Sequence, residues 1–166
     1  QEPVPYKLHI AIAPTKLNDR FEWFLEKSTE IGITEITPII CDHSERKQIK
    51  EERFKKIVQS AMKQSLQAHL PVLHPMTTLK DFIASQPQAH LSCIAHCEEG
   101  EKSPLTKELT AAKDILILIG PEGDFSSQEI TQAVSKGYKE ITLGNSRLRT
   151  ETAGIVACHS IAFLHQ

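Results

Sequence analysis

Long apolar runs are missing from this 166-residue sequence; none approaches the roughly 20 residues that cross a bilayer as a helix, so no membrane partner is expected. Paired cysteines are missing too. The four present, Cys41, Cys93, Cys97 and Cys158, include no Cys-x-x-Cys, which argues against a zinc ribbon, a thioredoxin-like site or any other metal centre. Cys93 and Cys97 fall in an apolar run and are expected to be buried, reduced thiols, as in a cytoplasmic protein. Aromatic residues make up only 5%, too few for a platform on which bases stack. An excess of positive charge is also lacking, since 19 Lys and Arg face 21 Asp and Glu, so the chain as a whole is no polycation built for nucleic acid. No glycine loop is followed by Gly-Lys-Ser/Thr and no Gly-x-Gly-x-x-Gly occurs, which removes the phosphate loop and the dinucleotide fingerprint. There is no internal repeat and no low-complexity tract.

Strand-like and helix-like patterns alternate along the chain, the signature of an α/β fold with a mostly parallel sheet and helices on both faces. Strands are expected over 6–13, 36–41, 71–73, 91–96, 115–119 and 140–143. A helix over 18–31 has Asn18 or Asp19 as its cap, a buried stripe through Phe21, Phe24, Leu25, Thr29 and Ile31, and Gly32 as its stop. A second helix is predicted over 45–68, with Phe54, Ile57, Val58, Ala61 and Met62 inside. Shorter ones follow over 79–84, capped by Thr77, and, weakly patterned, over 106–112. The helix over 128–136 starts at Ser126 or Ser127, with Glu129 placed to complete a capping box with Ser126. The last helix, 150–164, carries Ile155, Val156, Cys158, Ile161, Ala162 and Phe163 and asks for burial against the sheet or a second subunit.

Charge is uneven. Arg46, Lys47, Lys50, Arg53, Lys55, Lys56 and Lys63 face only Glu51 and Glu52. They are either the solvated face of an amphipathic helix or a face that tracks phosphates without reading sequence.

Chemistry concentrates between residues 114 and 153. The run Ile115-Leu116-Ile117-Leu118-Ile119 suits a strand buried on both faces, and it empties into Gly120-Pro121-Glu122-Gly123-Asp124-Phe125-Ser126. The next strand empties into a second loop that begins Gly144-Asn145-Ser146-Arg147-Leu148-Arg149. Ligands of open α/β sheets sit at the carboxyl ends of strands, so these loops can form two walls of one pocket. Glycines at 120, 123 and 144 let the backbone approach a ligand and take positive φ. By composition alone the first loop is equally a tight strand-to-helix turn, and the lesser alternative for Arg147 and Arg149 is a helix-start salt-bridge cluster.

Gly120-Pro121-Glu122-Gly123 with Phe125-Ser126, then Leu143-Gly144 and Leu148-Arg149-Thr150-Glu151-Thr152-Ala153, closely resembles the RsmE-type 16S rRNA uridine N3-methyltransferases of the SPOUT superfamily. Lys16, Arg20, Glu22, Lys27, Glu30, Ile31, Gly32 and Gln64 extend the resemblance, while Lys63 and Gln67 stand where that family commonly has Glu and Arg. The resemblance implies a SPOUT-type α/β knot, a deep C-terminal trefoil. It implies S-adenosyl-L-methionine as cofactor, held by His96, Ile119, Gly120, Pro121, Glu122, Gly123, Leu143, Gly144, Ser146, Leu148, Thr152 and Ala153. His96 is read either as a structural histidine or as a base at the lip of a third wall formed by the loop after 91–96. Glu30 is either a solvated helix end or an orienting carboxylate.

The implied reaction needs a deprotonated uridine N3. Arg149 is expected to stabilise that anion through the flanking carbonyl oxygens, with Arg147 assisting substrate or cofactor. Glu151 is the base or, the favoured reading, orients Arg149. Implied partners are 16S rRNA in the 30S subunit and a second copy of the chain. Residues 1–5 are expected to be a linker remnant and 6–166 the catalytic domain, since nothing here corresponds to the family's small N-terminal RNA-binding barrel. The alternative is a non-catalytic RNA- or ribosome-binding module whose contact face is 46–63. A small-molecule nucleotide enzyme on the same two loops lacks the usual motifs.

Overall fold

The computed structural model describes residues 2–85, 87, 89–109 and 113–166. In chain order the elements are β1 (Lys7–Ile12), α1 (Asn18–Ile31), β2 (Glu35–Ile40), α2 (Glu51–Ser65), β3 (Val72–Leu73), β4 (Thr77–Thr78), α3 (Leu79–Ala84), β5 (Leu91–Ala95), β6 (Ser103–Pro104), α4 (Leu105–Glu108), β7 (Asp114–Ile119), α5 (Ser127–Ser135), β8 (Lys139–Thr142) and α6 (Thr150–Leu164). The strands form one sheet in the order β3-β2-β1-β7-β5-β8-β6, with β4 added beside β2, and every strand pair described is parallel.

β7 is the middle of the molecule because all of Ile115 to Ile119 is apolar and both its faces are covered. Ile115, Ile117 and Ile119 point into one core, beneath α1, α2, α4 and α6, with Phe21, Phe24, Phe54 and Ile161. Leu116 and Leu118 point into the other, with Phe82 and Ile83 of α3 and Ile130 and Ala133 of α5. Each such side chain contributes about 1.5–3 kcal/mol on burial. Register then sets the site. Ile119 lies beside Ile12 of β1 and Ala95 of β5, and Ala95 lies beside Ile141 of β8. The loops after β5, β7 and β8 therefore leave the sheet at one edge.

Several local expectations change. The second helix starts at Glu51, not 45, because tertiary ties hold residues 42–50 as a loop. The Cys41 N–H bonds Ser44 Oγ, the Asp42 N–H bonds the Glu129 carboxylate, and Ser126 Oγ donates to the Asp42 carboxylate. α2 ends at Ser65, with Leu66 in the left-handed region at φ 59°. Ile57 and Met62 are half-buried rather than inside. Leu17 occupies the cap position of α1 without a side-chain bond, and Asn18 donates instead to Glu22. Thr78, not Thr77, caps α3 by accepting the Asp81 N–H. β5 stops at Ala95, so Cys93 is buried but Cys97 is exposed. Of the predicted 106–112 helix, Leu105–Glu108 forms and residues 110–112 lie outside the described ones. The Ser126–Glu129 capping box, the Gly32 stop and the bounds of the last helix are as expected, while Phe163 is exposed and Ile31 half-buried.

Candidate functional site

The two glycine bends meet. Thr150, the first residue of α6, donates its Oγ1–H to the Gly120 carbonyl at 2.9 Å in a buried bond that spans 30 residues of sequence. The first bend is a turn closed by the Asp124 N–H on the Pro121 carbonyl at 2.9 Å. Asp124 itself has φ 65°, a region Asp tolerates better than most residues. Its carboxylate accepts the Phe125 N–H at 2.8 Å and the Cys97 N–H at 2.9 Å, and the second bond ties the loop after β5 to the first bend. The second bend is held by Thr142, whose hydroxyl donates to the Gly144 carbonyl and accepts its N–H.

A cavity of about 560 Å³ opens between these three loops, the size of an ordinary small-molecule site. Among the expected residues, His96, Ile119, Gly120, Pro121, Glu122, Leu143, Gly144, Ser146, Arg147, Leu148, Arg149 and Ala153 line it. Gly123, Glu151 and Thr152 do not. Gly123 faces His43, whose Cβ would lie 3.0 Å from an added Cβ. Of the three glycines only Gly144 takes positive φ, 132°, and an added Cβ there would meet open space. Gly120 is favoured for a different reason, because Phe125 packs 3.1 Å from where its Cβ would stand. Sequence reading missed Ala95, Cys97, Lys102, Asp124, Ile141, Thr142, Asn145 and Thr150 as lining. The hydroxyl of Thr150, just after the Arg149 cap, was the one available signal.

Charges in the site are unequally engaged. Glu122 accepts the Lys16 N–H at 3.0 Å, and Lys102 Nζ donates to the His96 and Glu98 carbonyls. His96 has both ring nitrogens occupied, Nδ1 by the Glu98 N–H at 3.1 Å and Nε2 by Glu140 at 3.3 Å, so it is a wall and not a base. Glu151 does not orient Arg149. It is buried and faces Arg20, Nε to Oε2 3.7 Å, because α1 and not the cavity packs against that side of α6. Arg147 and Arg149 stay exposed, with no carboxylate in ion-pair range among the described residues. Away from the cavity lining, Arg53 grips Glu22 at 2.7 and 2.9 Å and holds its carboxyl below the usual range. Glu30 pairs with Lys27, away from the cavity lining.

This wall chemistry fits a nucleoside carrying an amino acid. Ile119, Ile141, Leu143 and Leu148 give apolar faces, the bends at Gly120 and Gly144 bring bare backbone to the rim, and two free guanidiniums stand at the opening. No group of three His, Cys, Asp or Glu among the described residues is placed to hold a metal. No helix among them is long and apolar enough to cross a membrane.

Comparison with known proteins bears on this cavity. Residues 2–162 match the family described as RNA methyltransferase domain. The chain is 30% identical over 158 residues to the ribosomal RNA small subunit methyltransferase E of Rickettsia conorii, covering 95% of this chain but only 64% of that one. The crystal structure of a Porphyromonas gingivalis protein superposes with TM-score 0.92 at 46% identity, over 99% of this chain and 70% of that one. The ribosomal RNA small subunit methyltransferase E of Neisseria gonorrhoeae, solved with S-adenosylmethionine bound, superposes with TM-score 0.88 at 28% identity, over 98% of this chain and 68% of its own.

Proposed function

The chain belongs to the RNA methyltransferase domain family, beside small-subunit enzymes of the RsmE type, and from that premise we propose that it uses S-adenosyl-L-methionine to methylate N3 of a uridine in 16S rRNA of the 30S subunit. The observation that carries this reading is the Thr150–Gly120 bond, which makes one cavity out of two sequence-distant bends. The bound cofactor supplies an electrophilic methyl group. The chain's own residues hold donor and acceptor in line, which accounts for much of the rate of such a displacement. Gly120, Pro121, Leu143, Gly144 and Leu148 grip the nucleoside, with Ile119, Ser146 and Ala153 beside them. Glu122 acts at the edge of that grip, and His96 closes the third wall.

Arg149 stabilises the uridine anion as it forms, since an exposed guanidinium without a carboxylate partner is free to take the base's carbonyl oxygens. Arg147 steadies substrate or cofactor beside it. Glu151 serves indirectly, by holding Arg20 and the start of α6. Calorimetry is expected to show S-adenosylmethionine binding to this chain. Arg149→Ala is expected to abolish methylation of small subunits, by 10²-fold or more, while cofactor affinity stays within a few-fold. No cofactor binding at millimolar concentration overturns the reading in favour of a non-catalytic RNA-binding module, and full activity of Arg149→Ala overturns the role of that arginine.

Four finer readings go with it. α6 leaves β8 yet packs on α1, β1 and β7, across the middle of the sheet, which supports a C-terminal trefoil knot. Phe163, Leu164 and Trp23, each at least 42% exposed on α6 and α1, support a homodimer. A cytoplasmic location follows from the substrate. Residues 6–166 form the catalytic domain.

A further inference from the structure

Among the described residues seven of the 19 Lys and Arg pair with carboxylates, and the unpaired ones include a run beside the start of α2. Arg20 pairs with Glu151, Arg53 with Glu22, Lys16 with Glu45, and Lys55 with Glu51 and Glu52. Lys47, Lys50, Lys56 and Lys63 have no carboxylate within ion-pair range among the described residues, and all four are exposed.

The loop geometry puts this charge next to the cavity. Had residues 45–50 been helical, their lysines would have continued α2. Instead the segment 42–50 folds against the first bend. A ring nitrogen of His43, Nδ1, lies 3.0 Å from the Gly123 carbonyl oxygen, and Lys16 joins Glu45 through Nζ and Glu122 through its N–H. Lys47 and Lys50 thus follow in sequence on Glu45, which Lys16 links to Glu122 of the cavity wall. From there α2 carries Lys56 and Lys63 outward, two helical turns or about 10 Å apart on one face. Its opposite face, Phe54, Val58 and Ala61, is buried.

Resting on the methyltransferase reading, we propose that Lys47, Lys50, Lys56 and Lys63 form a docking track for the phosphate backbone of the substrate RNA, leading to the cavity at Glu122. Lysines suit such a track because a compact ammonium meets any phosphate and reads no base. No exposed aromatic stands among these four residues to stack a base, so the track is blind to sequence. Net charge of −2 makes long-range attraction weak, and a local patch must supply it.

The test is salt-dependent binding of a short single-stranded RNA to the full chain. A variant combining Lys47→Gln, Lys50→Gln, Lys56→Gln and Lys63→Gln is compared with one combining Lys80→Gln, Lys107→Gln, Lys113→Gln and Lys136→Gln, four exposed lysines likewise without an ion pair. At about 0.7 per neutralised phosphate, the slope of log affinity against log salt is expected to fall by about 3 in the first variant and hardly in the second. The corresponding Lys→Arg variant keeps the slope. Equal losses in both glutamine variants, or none in the first, overturn the proposal. So does lysine-dependent binding of small ribosomal subunits by a wild-type chain that ignores both the short RNA and protein-free 16S rRNA, since that outcome indicates a protein partner.

Titration of S-adenosylmethionine into the same proteins separates the two readings. Unchanged cofactor affinity in the first variant is expected, and its loss overturns the track by assigning the lysines to the cavity. A lysine-dependent RNA slope in a chain that binds no cofactor sustains the track and removes the methyltransferase reading.

Discussion

Replacing Gly154 by Ala sets two physical effects against each other. Gly154 lies inside α6, where glycine costs about 1 kcal/mol relative to alanine, so helix propensity alone predicts that Gly154→Ala stabilises the protein by that amount. Packing predicts the opposite. An added Cβ would stand 2.4 Å from Phe24 Cε1, 2.6 Å from Phe24 Cδ1 and 3.2 Å from Ile12 Cδ1. Phe24 is fully buried, with the Phe21 ring centroid 5.8 Å away, so its ring has nowhere to swing and α6 must lift off α1. Overpacking of this kind costs about 1–3 kcal/mol. A net loss of up to about 2 kcal/mol is expected, which lowers Tm by up to about 4–8 °C in a chain of this size. Urea unfolding should show a lower midpoint with an unchanged slope. In a Phe24→Leu background the same substitution should cost clearly less, the coupling expected of neighbours in contact. A Gly154→Ala protein as stable as the wild type, or more so, refutes the argument that the α1–α6 distance requires glycine here.

Thr150→Val keeps the shape but leaves the buried Gly120 carbonyl without its hydroxyl partner; a loss of about 1–3 kcal/mol in urea unfolding and weaker S-adenosylmethionine binding by calorimetry are expected, and Thr150→Ser should restore both. Acid should destabilise the protein through His9. Burial pushes its ring down to about 4, with His74 and Lys7 adding to the effect and Glu35 opposing it, while the unfolded ring titrates near 6.5. Between those values the unfolded chain binds more protons, so this contribution is intact above pH 6.5 and is lost as pH falls towards 4, by up to about 3 kcal/mol. Urea midpoints across that range measure it, and an equally steep acid loss in His9→Gln refutes the assignment. Of the four cysteines only Cys97 should react with a thiol reagent in the folded protein, since Cys41, Cys93 and Cys158 are buried and burial pushes the thiols of Cys93 and Cys158 up to about 12; more than one equivalent before unfolding counts against this packing.

Much of the site was legible because the residues that shape it act locally. Ile115 to Ile119 announce a doubly buried strand by composition, Ser126 and Glu129 a helix start by spacing, and Gly120 and Gly144 the bends by their missing side chains. What failed were pairings between elements. Glu151 and Arg149 are two apart in sequence and invite an ion pair, but successive positions at a helix start point to different sides, and Glu151 meets Arg20 of α1 instead. The run 45–50 has helical composition, yet bonds from Asp42 to Glu129 and Ser126, more than 80 residues away, outweigh it. Cys97 looked like core because it follows an apolar run, and only the end of β5 at Ala95 places it outside.

The sequence by itself determined the alternation of strands and helices, the burial of β7 and the backbone freedom of the second bend. Those depend on side-chain period and on the φ that one residue can adopt. The tertiary structure alone decided that β7 lies between β1 and β5, that Thr150 closes on Gly120, and that Arg20 rather than Arg149 answers Glu151. Those contacts depend on which strands become neighbours. That order, β1-β7-β5-β8, is not the order of the chain, so no local pattern carries it.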